Sequence, residues 1–362
     1  MRYISGRTSP AAIITLAFTI GATSAESRTP AISRIALTGR DGHPVSTAPI
    51  TLLQELNGGG LALATADGVM IVRDGRVMAT AAGLPEVLAL AEVGGKLYAG
   101  TAAGLYQITI ADGVSRRVEM PALKTFPRIT SLVADNAGAL WIGTGGYGLF
   151  SMKKGSIDPV PGAPFISSLA ATPDGSVWIG TNIGLHRVRD GVYHAYSEEI
   201  HHEGLAIPDN IVERLQTDRS GRLWVFMSNA VSVIDPEEVV AKKDHIDPAT
   251  YAFIGAEENG IYALADGPRG SRWIVSEKGL FMLSGIEIGE GAGEQGHGLS
   301  DVLTPPKGTL INVADVLKGK ADGFSGMAPR GIAFNGRGDL IVAGSDGLWR
   351  IDRDLVRKMT GG

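Results

Sequence analysis

The chain has 362 residues, 44% of them apolar and 20% charged, which is enough for a large core and too apolar for a disordered chain. Its net charge of −5 leaves no basic footprint for nucleic acid. It has no cysteine, which excludes disulfides, thiolate metal sites and thiol nucleophiles.

The first residues read as an export leader. Arg2 and Arg7 give a positive start, Ala11 to Ile20 a short apolar run, and Thr23-Ser24-Ala25 the small residues of a cut after Ala25. The run is about half of the ~20 residues that a membrane span requires. Residues 1–25 are therefore expected to be removed, which places the mature chain in the periplasm or outside the cell. No later run is apolar enough to cross a bilayer. Residues 26–362 are expected to form one domain.

A repeat dominates the rest of the chain. Trp141, Trp178, Trp224 and Trp273 each lie three residues after a glycine: Gly138, Gly175, Gly221 and Gly270. Ala62, Tyr98 and Ile341 follow Gly59, Gly95 and Gly338 in the same frame, so the units count to seven. A second glycine comes six residues after the aromatic position, as in Gly104-Leu105, Gly184-Leu185 and Gly279-Leu280. Apolar pairs recur upstream: Ile129/Leu132, Ile166/Leu169, Val212/Leu215 and Ile261/Leu264. Most spacings between units suit a four-stranded propeller blade of ~40–45 residues. The third unit reads as strand 129–134, an Asp135-Asn-Ala-Gly138 turn, strand 140–144 and strand 149–152. The fourth strand of each unit is the least regular.

The fold expected is all-β: a seven-bladed β-propeller of four-stranded antiparallel blades. The tryptophans then belong between blades rather than on a ligand platform. Ile32 to Leu37 alternates, and either it or Leu355 to Met359 is expected to supply the outer strand of the last blade. Residues 236–243 could form one short helix. The last two units lie 68 residues apart, so an insertion is expected at about 284–328, with a Gly-rich run from Gly289 to Gly298 and a segment from Leu310 to Lys320. Such a loop is often a lid or a binding loop.

The repeat resembles the two-component regulator propeller repeat of bacterial sensor proteins. Glu203-Gly-Leu-Ala-Ile-Pro-Asp-Asn and Asp218-Arg-Ser-Gly-Arg-Leu-Trp224 match its pattern, as do Leu140-Trp-Ile-Gly-Thr144 and Val177-Trp-Ile-Gly-Thr181. The resemblance implies a propeller outside the membrane that senses ligands, commonly carbohydrates, for an attached histidine kinase. This sequence departs from that plan: it holds one propeller, no span after the leader and no kinase or DNA-binding region.

Propeller sites gather where the inner-strand entries meet the turns between the second and third strands. Arg128, Asn210, Asn259 and Arg330 are candidates at strand entries, and Tyr147, Asn182, Asn229, Glu277, Lys278 and Asp346 in the turns. Arginines among amides and acids would suit a polar or anionic ligand. His201-His202-Glu203 is the densest polar group, with a metal or acid–base reading open beside that of a solvated loop. His186 and His194 lie in neighbouring strands and could reach the rim or be structural. The Asp-x-x-Gly turns lack the further carboxylates of a calcium loop, so turn chemistry explains them. No motif for a nucleophile, a metal, a nucleotide or another cofactor stands out.

The leading reading is a binding module without its own catalysis, whose partner is a small polar ligand such as a carbohydrate, or an envelope protein. The alternatives are a metal-dependent propeller lyase or lactonase-type hydrolase, and an envelope scaffold.

Overall fold

The structure is a computed structural model and describes residues 30–46, 49–162, 165–197, 207–227, 230–244, 246, 249–252, 261–284, 309–317, 324 and 327–360. Residues 31–362 make one compact unit of seven antiparallel sheets, one for each sequence unit. The leader expected at 1–25 lies outside the described residues.

The inner strands are Ile50–Glu55, Val87–Val93, Ile129–Ala134, Ser168–Ala171, Val212–Thr217, Ile261–Asp266 and Pro329–Phe334. The second strands carry the aromatic positions and are almost wholly buried, as in Leu140–Thr144, Val177–Thr181 and Leu223–Met227. Runs buried on both faces read as continuous apolar sequence. The tryptophans pack between blades: Trp178, Trp224 and Trp273 are 0%, 1% and 0% exposed. Their indoles are tied down by the turn before them. Trp141 Nε1 donates to Asp135 Oδ2 at 2.8 Å, Trp178 Nε1 to Thr172 Oγ1 at 3.0 Å and Trp273 Nε1 to Ser271 Oγ at 3.1 Å. The same Asp135 accepts the backbone N–H of Ala137 and Ala139, so these turns use their carboxylate internally.

Consecutive inner strands keep one register around the ring. Leu169 N–H donates to Ser131 Oγ at 2.9 Å, and Leu215 N–H to Ser168 Oγ at 3.0 Å, one blade further on. The glycine of the Ile-Gly-Thr segment gives each next blade its place. A Cβ on Gly143 would stand 2.6 Å from Ile166 Cγ2, and one on Gly180 would stand 2.7 Å from Val212 Cγ1. At Gly184 the backbone has φ +125°, and a Cβ would meet the Tyr196 carbonyl oxygen at 2.3 Å.

The ring closes with the N-terminal segment. Ile32–Ile35 pairs with Gly347–Ile351 as the outer strand of the seventh blade. The chain then passes to the first blade, where Leu37–Thr38 joins the outer strand Arg76–Ala82 in parallel at Thr38 and Arg76. The Arg34 guanidinium reaches the Asp346 carbonyl, and Asp352 N–H donates to Ala31 O. One short segment therefore holds the first and last blades, which removes an open edge. The rival closing segment, Leu355 to Met359, lies in the helix Arg353–Met359, whose Val356 is buried beside Trp349 and Phe324.

The helix expected after Asp235 spans Pro236–Ala241, and Asp235 caps it by accepting from Glu237 N–H and Glu238 N–H. Part of the segment read as an insertion is blade. Thr309–Asn312 is the outer strand of the sixth blade, and Val313–Leu317 is a helix with Val313 and Leu317 in the core cluster of Trp273. An outer strand carries none of the repeat's signature residues, so its sequence passes for loop. The Gly-rich run 289–298 lies outside the described residues.

Candidate functional site

In an antiparallel four-stranded blade, the start of the inner strand and the turn between the second and third strands lie at the same end. The constant register brings those seven ends to one face of the ring. Arg128, Asn210 and Arg330 are at strand entries on that face, and Tyr147, Asn182, Glu277, Lys278 and Asp346 are in the turns. His201, His202, Glu203, Asn229 and Asn259 lie outside the described residues.

The described candidates differ in what holds them. Exposed Arg128 pairs with Glu86 of the preceding entry at 3.5 Å. Asp346 is half structural: its carboxylate accepts Trp349 Nε1 at 3.1 Å, and its carbonyl accepts Arg34. Glu277 and Lys278 form an exposed turn in which Lys278 N–H donates to Ser276 Oγ. Threonine does the same in other blades, with Thr101 and Thr181 bonding both ends of their own turns. Arg330 lies with its guanidinium 4.1 Å above the Tyr262 ring.

Two features of this face were missing from the candidate residues. The first is a ring of bulges. The inner-strand ladder slips after its first residue in six blades, between Ile50 and Leu52, Val87 and Ala89, Ile129 and Ser131, Val212 and Arg214, Ile261 and Ala263, and Pro329 and Gly331. In the fourth blade Ser167 occupies the same place. A bulge sets one residue out of the ladder and re-aims its side chain. The flanking first residues are buried, while Thr51, Leu88, Thr130, Ser167, Glu213, Tyr262 and Arg330 all keep solvent contact. Thr130 and Ser167 spend their hydroxyls on the next blade, donating to Ile166 O and Val212 O. Burial, and then the nearby Asp209 carboxylate, hold the Glu213 carboxyl above its usual range.

The second feature is apolar. Phe126, Tyr147, Phe165, Ile183 and Ile211 are between 43% and 57% exposed. They alternate between entry and turn through blades three to five, so they form an arc on one side of this face. Single exposed apolar residues are ordinary, whereas a series on one face marks a contact surface. The Arg117 guanidinium stands 4.2 Å over the Phe126 ring at one end of the arc.

His186 and His194 belong to the strands of the fourth blade. His186 is buried in the fourth blade, stacked on Tyr193, with Nε2 3.2 Å from Thr181 Oγ1. Burial lowers its pKa. His194 lies in the outer strand, 3.5 Å from Asp244. Among the described residues no group of three or more His, Asp or Glu is placed to hold a metal ion.

Sheet count, closure and shared face define a seven-bladed propeller with its connections gathered at one end. No family model matches the chain. No curated protein matches it either. Solved structures do. The extracellular domain of a putative one-component system from B. thetaiotaomicron aligns with a TM-score of 0.58 at 14% identity, over 88% of this chain and 39% of that one. The extracellular domain of a putative hybrid two-component system from the same organism gives 0.56 at 16%, over 89% and 42%. This chain thus spans well under half of those sensor domains. Virginiamycin B lyase from Staphylococcus aureus gives 0.60 at 14%, over 88% of this chain and 98% of that one. At such identities the likeness is one of fold. The resemblance of the repeat to sensor propellers has its counterpart in the two sensor domains.

Proposed function

We propose that this chain is an exported binding module, without catalysis of its own, that captures a ligand or partner protein on the face where strand entries and turns meet. The observation that carries this reading is the apolar arc from Phe126 to Ile211. Five large side chains half exposed on one face cost solvation unless something covers them. The polar rim beside them, with Arg128, Glu277 and Lys278, supplies directional bonds. Likeness to sensor extracellular domains supports a binding role outside the cell, and no helix among the described residues is long and apolar enough to span a membrane.

The test is a binding panel of oligosaccharides and peptides, titrated against the purified chain. A bound class is expected, and Tyr147→Ala combined with Phe165→Ser should weaken it roughly tenfold. Binding that ignores both substitutions would sink the reading.

The lyase alternative draws on the match over nearly the whole length of virginiamycin B lyase. It requires turnover that stops when one rim residue is replaced. Metal analysis of the purified chain, followed by assay with and without a divalent ion, separates it from the binding reading.

A further inference from the structure

Two arginines among the described residues are buried between blades and a third is half-buried there, and the two buried ones have carboxylates. Arg187, 1% exposed, is paired with Asp244. Arg272, 7% exposed, meets Asp218 and Asp266 at 3.0 Å each. The third, Arg214, is half-buried: its guanidinium makes no hydrogen bond or ion pair to any described residue, its Nε is sealed from solvent, and its terminal nitrogens are left to water. A charge taken out of water without a partner is costly, which is why buried charges are normally paired.

Its place in the repeat sharpens the point. Arg214 is the third inner-strand residue, where the third and fourth blades carry Ser131 and Ser168. Those serines accept the backbone N–H of the next blade and so tie the ring. An arginine has only donors and cannot do this. In the fifth blade the task has moved two residues on, to Gln216, which accepts Leu264 N–H and donates to Leu264 O. Arg214 is thereby released from ring closure. It stands on the side of Phe226 that faces the sixth blade, part of the residue still touched by solvent, at the end of the strand nearest the binding face. Burial pushes its pKa down to about 10, as expected for a cation that nothing nearby compensates.

Arg330 of the seventh blade adds a second cation, stacked on Tyr262 of the sixth. It has no acceptor among the described residues. A guanidinium stacked by its face keeps its in-plane N–H donors free for a forked contact with an oxyanion. We propose that Arg214 of the fifth blade and Arg330 of the seventh, at the strand-entry end on either side of the sixth blade, bind an oxyanion, a carboxylate or a phosphate group of the ligand. Glu213 and Asp209 are the acidic groups beside Arg214 in sequence, and burial and their mutual repulsion raise the Glu213 pKa. This site goes beyond the apolar arc and uses none of its residues.

The experiment is calorimetric titration of the purified chain with inorganic phosphate and, separately, with succinate, at constant ionic strength set by chloride. Saturable binding of at least one is expected. Phosphate alone, succinate alone, or both identify which oxyanion source the site accepts. Arg214→Met should abolish the binding, and Arg330→Gln should weaken it roughly tenfold. The melting temperature of Arg214→Met, measured without added anion, is expected to equal or exceed that of the parent. Failure of both anions to bind, or unchanged affinity in both variants, would overturn the proposal. So would a lowered melting temperature or a misfolded Arg214→Met, because the guanidinium would then already be compensated within the chain. None of these variants touches Tyr147 or Phe165, so loss of this site leaves the test of the apolar arc intact.

Discussion

Trp224 donates its indole N–H to Asp218 Oδ2 at 3.0 Å, and the same oxygen receives Arg272 from the sixth blade at 3.0 Å. The other carboxylate oxygen accepts Ser220 and the Arg222 backbone. One aspartate thus closes its own turn, fixes the tryptophan between blades and joins two blades by charge. In the third blade Asp135 repeats the first two tasks on Trp141 but has no arginine. The same turn motif therefore carries different weight in different blades.

Asp218→Ala is expected to cost about 3 kcal/mol, the lower end for a broken buried pair, because Arg272, 7% exposed, keeps only Asp266 of its two carboxylates. Asp135→Ala, which removes bonds to neutral donors only, is expected to cost less, about 1–2 kcal/mol. Urea unfolding of the two variants compares them directly. Equal losses would mean that the interblade ion pair adds nothing to the turn.

Acid should act through the same residue. Burial raises the Asp218 pKa, but hydrogen bonds from Ser220 and Trp224 and the charge of Arg222 outweigh it and hold the carboxyl far below the usual range. The folded state therefore releases this proton more readily than the unfolded chain does. Its contribution is complete above the unfolded value of about 3.9 and is lost as the pH falls below that. His186 acts at milder pH. Its folded pKa is lowered by burial, so protonation favours the unfolded chain, and stability is lost as the pH drops below about 6.5. A melting-temperature profile should fall in two stages on acidification. His186→Gln should flatten the upper stage and leave the lower one.

Much of the ring can be read in the residues, including one feature that the spacing holds in plain sight. Ile129 and Leu132, Ile166 and Leu169, Val212 and Leu215, and Ile261 and Leu264 stand three apart, yet a regular strand returns to one face every two residues. A step of three between two buried positions, where two would suffice, requires one residue to be set aside, and that residue is the bulge. Thr130, Glu213 and Tyr262 could be found from this spacing alone. The apolar arc was harder to see, because the place just before the inner strand, held by Phe165 and Ile211, is Glu86 and Arg128 in the second and third blades, and Phe126 stands two residues earlier. Arg214 was hidden for another reason. Its isolation depends on Gln216 taking over a bond that serines make in other blades, which only the contacts reveal. The outer strand Thr309–Asn312 lacks any signature because an edge strand packs on one neighbour and tolerates many residues.

The Ile-Gly-Thr glycine makes a packing prediction. A Cβ at Gly143 would stand 2.6 Å from Ile166 Cγ2 and 3.0 Å from Ile166 Cβ, so a side chain there pushes the fourth blade away from the third. Gly143→Ala is expected to destabilise by about 1–3 kcal/mol through overpacking. Ile166→Ala removes the nearer atom, and the double variant should lose less than the sum of the two single changes. Strict additivity in chemical denaturation would show that the blades adjust elsewhere.

Arg187 and Arg214 should respond in opposite directions to the same substitution. Arg187 is 1% exposed, lies 5.5 Å from the Trp178 ring centre and is paired with Asp244. Arg187→Met removes that pairing and leaves the Asp244 carboxylate, itself about one third exposed, with His194 as its remaining ion-pair partner among the described residues. The loss is expected near the lower end of the 3–5 kcal/mol typical of broken buried pairs, about 3 kcal/mol, since water reaches the remaining charge. Arg214 has no described partner to leave behind. Replacing it with methionine removes an uncompensated cation from between two blades and puts an unbranched apolar chain against Phe226, so stability is expected to hold or rise by about 1 kcal/mol. Differential scanning calorimetry of the two variants decides it. Equal destabilisation would show that both arginines serve the fold, and a gain confined to Arg214→Met would mark that guanidinium as maintained at the expense of stability, as residues kept for binding often are.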